Sequence, residues 1–138
     1  MSDITVTAAL VGLVFPMKAE VVDLIANETL TAGQAVYQLS TGKVGLADAN
    51  GGAALAQFRG IALGPAGAGQ AVSVLVRGHV YGFTLSSMNA DAIAYLSNTA
   101  GALADTSAAG SGGIGVNCGR VTCLTDAART KVLYVVAD

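Results

Sequence analysis

The sequence predicts an all-β protein, a compact β-sandwich or barrel of about ten short strands built from two similar β units, with an extended N-terminal arm. Three observations lead there. Apolar residues recur with a period of two rather than 3.6. Turn-forming residues punctuate the chain at short intervals. The second half of the chain also echoes the first.

The elements follow in chain order. Residues 1–16 form the arm, where Ile4 to Ala9 alternate weakly and Val11 to Phe15 are apolar up to Pro16. Pro16 biases Phe15 toward extended backbone. Such a segment either adds an edge strand to its own sheet or lies on a neighbouring subunit. The uncharged run Ile4 to Met17 is too short to span a bilayer. It follows Asp3 instead of a basic region, which makes it a poor secretory signal and cytoplasmic synthesis the default. The single β domain is expected over residues 17–138. Val72, Val74 and Val76 alternate with Ser73, Leu75 and Arg77, and His79, Tyr81, Phe83 and Leu85 share one face beyond them. Val116 to Leu124 and Lys131 to Val136 are short and rich in β-branched residues, as strands require. Turns are signalled at Asn27-Glu28, Thr41-Gly42, Asn50-Gly51-Gly52, Gly64 to Gly69, Asn98 to Gly101 and Ala109 to Gly113. Only Ala90 to Leu96 and Asp126 to Thr130 offer a helical turn each.

The internal repeat spans about 17–76 and 76–136. It aligns Val22 with Val80, Ala32 with Ala90 and Tyr37 with Tyr95, and with a small shift Gly42 with Gly101. Small shifts bring Leu46-Ala47-Asp48 onto Leu103-Ala104-Asp105 and Gly60-Ile61-Ala62 near Gly119-Arg120-Val121. One unit has too little apolar surface to stand alone, so two must pack together.

Composition narrows the function. Lys and Arg number 7 against 9 Asp and Glu, and charged residues make up 12% of the chain, about half the usual share. Without a basic excess, no nucleic-acid partner is expected. There are 26 alanines, 18 glycines, seven aromatics and no tryptophan, so the core is expected to be thin. A sparsely charged surface is expected to meet protein, with no membrane partner and a homo-oligomer as the closed solution.

Chemistry is hard to find. His79 is the only histidine and has no nucleophile or carboxylate at a spacing that would form a triad. Asp48 and Asp105 are read as turn residues. Gly64 to Gly69 lack the Lys and Ser/Thr of a phosphate loop, and Asp105 to Gly113 lack alternating acidic calcium ligands. Cys118 and Cys123 are read as small core residues, too few for zinc. No catalytic residue, metal or cofactor is therefore expected. Arg59 and Arg77 are candidate interface anchors because a guanidinium fork binds a partner's carboxylate. Arg120 is read as the second-unit counterpart of Arg59. The candidate interface comprises Val11, Leu13, Phe15, Arg59, Arg77, His79, Tyr81 and Phe83.

The runs Ala32-Gly33-Gln34-Ala35-Val36-Tyr37, Thr41-Gly42-Lys43-Val44, Phe58 to Leu63 and Gly69 to Val74 together resemble the small Ala/Gly-rich capsid decoration, or cement, proteins of tailed bacteriophages. The likeness covers about residues 30–77, with a degraded echo over 88–136. It implies a non-enzymatic subunit on the virion's outer capsid surface that contacts the major capsid protein and bridges neighbouring capsomers. It also implies a homo-oligomer, a trimer ahead of a dimer. The alternative is a virion-associated carbohydrate-binding or fibre-anchoring β module, for which Tyr81 and Phe83 beside His79 are the only local aromatic cluster.

Overall fold

The computed structural model describes residues 3–123 and 131–137. Ten strands form one antiparallel sheet that curls into a half-barrel. They are β1 (Gly12–Leu13), β2 (Glu20–Ile25), β3 (Ala35–Gln38), β4 (Val44–Leu46), β5 (Gly60–Ala62), β6 (Ala71–Tyr81), β7 (Ile93–Leu96), β8 (Leu103–Ala104), β9 (Asn117–Cys123) and β10 (Lys131–Val136). The only helical pieces among the described residues are 3-10 turns at Ala8–Leu10 and Pro16–Lys18. The segment expected to make a helical turn at Ala90 to Leu96 contains strand β7 instead. Ile93 and Tyr95 alternate with buried Ala94 and Leu96, and strand pairing overrides the weak helical preference of a short Ala-containing run. Asp126 to Thr130 lie outside the described residues.

The strand order is β4-β3-β5-β6-β10-β9-β7-β8, with β1 and β2 also on β6. The two units have the same pairing scheme. In the first, β4 pairs β3, β3 pairs β5, β5 pairs the first half of β6, and that half pairs β2. In the second, β8 pairs β7, β7 pairs β9, β9 pairs β10, and β10 pairs the second half of β6. Loop hydrogen bonds repeat as well. The Gly33 N–H donates to the Ala62 carbonyl at 2.8 Å, and the Asp91 N–H to the Val121 carbonyl at 2.7 Å. Gly33 has φ +90°, and Asp91, at φ +67°, is the only described non-glycine residue with positive φ. Aspartate tolerates that conformation better than most side chains.

Pairing fixes the register more finely than the sequence does. Gly60 faces Val36, and Gly119 faces Ala94. Gly60 therefore corresponds to Gly119, and Arg120 to Ile61, not to Arg59. Tyr37 pairs Gly45 and Tyr95 pairs Ala104, so the two Leu-Ala-Asp runs are two positions out of structural register.

Face burial differs between the units. Ala35, Ile61 and Leu75 are fully buried in the main core, which draws on both units. The opposite face of the first unit, with Val36, Val44, Ala62, Val72 and Val74, closes over a smaller core under Ala26, Leu30 and Ala66. In the second unit Ala94, Leu96, Val121, Leu133 and Val135 enter the main core, and the other face looks outward.

The arm takes the first of its two expected courses and packs on its own chain. The Ile4 N–H bonds to the Leu103 carbonyl at 2.8 Å, the Thr7 N–H to Gly82 at 2.8 Å and the Val14 N–H to His79 at 3.1 Å. β1 pairs the end of β6, and Ile4 is buried in the main core. Buried Ser97 donates from Oγ to the Asp3 carboxylate.

Two equivalent glycines set how closely strands approach. A Cβ on Gly60 would lie 2.3 Å from the Leu75 carbonyl oxygen, and one on Gly119 2.2 Å from the Tyr134 carbonyl oxygen. Both obstacles are backbone, which cannot swing aside. Gly60→Ala and Gly119→Ala are each expected to cost about 2–4 kcal/mol in urea unfolding. Gly42→Ala, at φ +91° with no atom within 4 Å, is expected to cost only about 1 kcal/mol. Equal losses at all three positions would contradict this packing account.

Candidate interaction surface

The eight residues singled out in the sequence do not form one patch. Val11 and Leu13 are half-buried against the main core. Phe15 is 40% exposed and meets His79 edge-on at 5.3 Å between ring centroids, with Lys18 Nζ 5.9 Å from the Phe15 centroid. His79 in turn lies 4.6 Å from the Tyr134 ring. Tyr81 is 48% exposed, and its ring lies against Gly12, where a Cβ would come within 3.2 Å of the hydroxyl. Arg77 is exposed opposite Glu20. Arg59 sits apart on the first unit, beside a hollow of about 450 Å³ lined also by Gln38, Ser40 and Gln57. Its Nε is buried with no hydrogen-bond partner among the described residues.

Phe83 is a correction. It is only 9% exposed and belongs to the main core, so it is not an interface residue. Gly82 is the reason. β6 ends at Tyr81, and Gly82 takes φ +109° where Val11 backbone passes within 2.9 Å of the missing Cβ. That conformation breaks the alternation and turns Phe83 inward, a course that glycine permits. The aromatic cluster of His79, Tyr81 and Phe83 behind the carbohydrate alternative is thereby dissolved.

Pairing builds a different row across the second unit. His79 faces Tyr134, Tyr134 faces Arg120, and Arg120 faces Ile93. The first-unit counterparts of the last three are Leu75, Ile61 and Ala35, all fully buried. A face that is core in one copy is thus surface in the other. Its substitutions follow that change, because Arg and Tyr tolerate partial exposure. Arg120 reaches Asp91, with a 3.5 Å ion pair and a 3.1 Å bond to the Asp91 carbonyl. Beside it, Asn117, Gly119, Arg120, Tyr134 and Val136 line a hollow of about 310 Å³.

The large apolar side chains left exposed are concentrated on a few neighbouring elements. Leu10 and Phe15 lie on the arm, Met17 on the 3-10 turn that follows it, Val21 and Ile25 on β2 and Tyr81 at the end of β6, and Ile114 alone lies elsewhere among the described residues. Sequence reasoning reached Phe15 and Tyr81 but missed Leu10, Met17, Val21 and Ile25. For the last two a signal was present, because Val21, Asp23 and Ile25 alternate with Val22 and Leu24.

No group of three or more His, Cys, Asp or Glu among the described residues is arranged to hold a metal. No helix among them is long and apolar enough to cross a membrane. Cys118 and Cys123 are free thiols, and burial pushes the Cys118 thiol well above its ordinary range, which keeps it a weak nucleophile. Compared with known proteins, the chain matches no family model, no curated protein and no solved structure.

His79 titrates below its ordinary value of 6.5, first because burial disfavours the imidazolium and second because Lys18 repels it. The unfolded chain therefore takes up the proton before the folded one as pH falls. The associated stability is complete above the unfolded value and is lost as pH drops through 6.5 toward the folded value. An NMR titration of the imidazole is expected to show a midpoint below 6.5, and Lys18→Ala is expected to raise it only part of the way, since burial is the larger cause. A midpoint at or above 6.5 would contradict this arrangement.

Proposed function

We propose that this chain is a non-enzymatic structural protein that binds the exterior of a tailed-phage capsid and stabilises it by bridging neighbouring capsomers. Its partner in this reading is the major capsid protein, and its place is the outer surface of the virion after synthesis in the host cytoplasm. It acts as a homo-oligomer, a trimer ahead of a dimer. The observation that carries the reading is the set of large apolar side chains, Leu10, Phe15, Met17, Val21, Ile25 and Tyr81, left exposed on the N-terminal stretch, on β2 and at the end of β6. Exposed apolar side chains concentrated on neighbouring elements mark contact with another macromolecule. The sequence resemblance to decoration proteins supplies the identity of the partner.

Such a protein needs no chemistry. A ligand that binds only the assembled lattice stabilises it by mass action, about 2.7 kcal/mol per site at a concentration one hundred times Kd. The test adds purified protein to undecorated heads and measures co-sedimentation, occupancy and heat resistance. Saturable occupancy with protection from heat is expected. No co-sedimentation with heads of any candidate capsid, or occupancy without protection, would contradict the function.

A further inference from the structure

We propose that the outer edge of β2 is a strand-addition site for an extended segment of another protein with the pattern apolar, any, Lys or Arg, any, apolar. The proposal rests on the binding function above and adds the place and the chemistry of the contact.

Backbone phase locates the edge. The Leu63 N–H bonds to the Ser73 carbonyl at 2.9 Å, so Ser73, and with it Ala71 and Leu75, turns its polar backbone toward β5. Val72 and Val74 then turn theirs toward β2, where they pair with Leu24 and Val22. The Ala26 N–H continues the same phase, bonding to the Gln70 carbonyl at 2.8 Å. Val21, Asp23 and Ile25 therefore point their N–H and C=O groups away from the sheet. Among the described residues, β2 has a strand neighbour on one side only.

The edges at β4, at β8 and along the end of β6 are closed by the chain itself. At β4 the Asn27 N–H reaches the Val44 carbonyl at 2.7 Å, and the Leu46 N–H reaches Glu28 Oε2 at 3.1 Å. At β8 the arm supplies the Ile4 N–H, and along the end of β6 it supplies β1. An apolar edge left open beside closed ones is a template for pairing.

The side chains set the occupant. Val21 and Ile25, 38% and 41% exposed, flank Asp23 on one face. A groove of about 480 Å³ runs beside Val21, lined by Leu13, Leu63, Pro65 and Ala71. Asp23 is exposed, and its carboxylate accepts one hydrogen bond, from Ser73 Oγ at 2.9 Å. An incoming strand places residues directly opposite Val21, Asp23 and Ile25, so apolar side chains complement the ends and a cation complements the centre. A second copy of this chain does not fit. Two-fold pairing of β2 with itself keeps residues on their faces and sets Asp23 against either its own copy or an apolar residue.

The test uses isotope-labelled full-length protein and a capped heptapeptide in which threonine alternates with valine, lysine and valine. A matching peptide carries glutamate in place of lysine. Saturable amide shifts are expected at Val21, Asp23 and Ile25, with the lysine peptide binding at least about fivefold tighter. Asp23→Lys is expected to reverse the preference, and an unchanged thermal midpoint verifies that it folds. No saturable shift by about 5 mM, shifts centred elsewhere, equal binding of both peptides or self-association through β2 would each overturn the proposal. Undecorated heads separate the two claims. Equal binding of wild type and Asp23→Lys would overturn the edge assignment and leave the capsid function standing. Failure of wild type to bind would overturn the capsid function, and the peptide result would still decide the edge.

Discussion

Strand β6 belongs to both units at once. Its first half carries β5 and β2, its second half carries β10 and β1, and among the described residues no other strand has four partners. The phase changes in its middle, where Arg77 and Leu75 face the consecutive residues Glu20 and Val21 and leave Val76 as an extra residue. A bulge of this kind bends a strand and increases its twist. Here it brings the inner face of the first unit onto the inner face of the second. Leu75 and Val76, adjacent in sequence, both enter the same core. In a regular strand one of them would face the other way. Each such side chain contributes about 1.5–3 kcal/mol when fully buried, so the bend is where the two units gain their common core.

The repeat is faithful in pairing and unfaithful in burial. A unit copied along one chain presents the same two faces twice, but only one pair of faces can meet. The first unit buries both faces, one against its neighbour and one under the segment carrying Ala26 and Leu30. The second unit buries one face and leaves the row of Ile93, Arg120 and Tyr134 outside. The arm borders this open side, setting Phe15 against His79 and Lys18 over the Phe15 ring. The chain thus closes itself at most edges and leaves its apolar exposure on β2, the arm and the end of β6. That distribution suits the attachment proposed above.

Much of the fold was legible in the residues. Alternation through Val72, Val74 and Val76, glycines at most turns, and paired tyrosines at 37 and 95 defined strands and repeat. The losses have physical causes. Gly82 broke the phase that carried His79 and Tyr81, and a glycine in sequence does not announce which way the next side chain turns. The run at Ala90 to Leu96 is too short for its period to separate helix from strand. Matching Leu-Ala-Asp runs drew the eye two positions from the true register, because the loops differ in length while backbone pairing tolerates Gly45 opposite Tyr37 and Ala104 opposite Tyr95. The candidate surface was only half legible. Phe15 and Tyr81 were found as rare aromatics, whereas Val21 and Ile25 look like the residues of any half-buried strand until the neighbour on their far side proves to be missing.

The central claim is that β6 welds the two units into one cooperative body with an open edge at β2. Native-state hydrogen exchange tests it residue by residue. The amides of Leu75, Val80, Leu133 and Val121 are expected to exchange together, at the free energy of global unfolding. Those of Val21, Asp23 and Ile25 are expected to exchange quickly, while Val22 and Leu24 beside them stay protected. Exchange of β9 and β10 through a separate, lower-energy opening would show that the units are independent. Slow exchange at Val21, Asp23 and Ile25 in the isolated protein would show that the edge is already occupied.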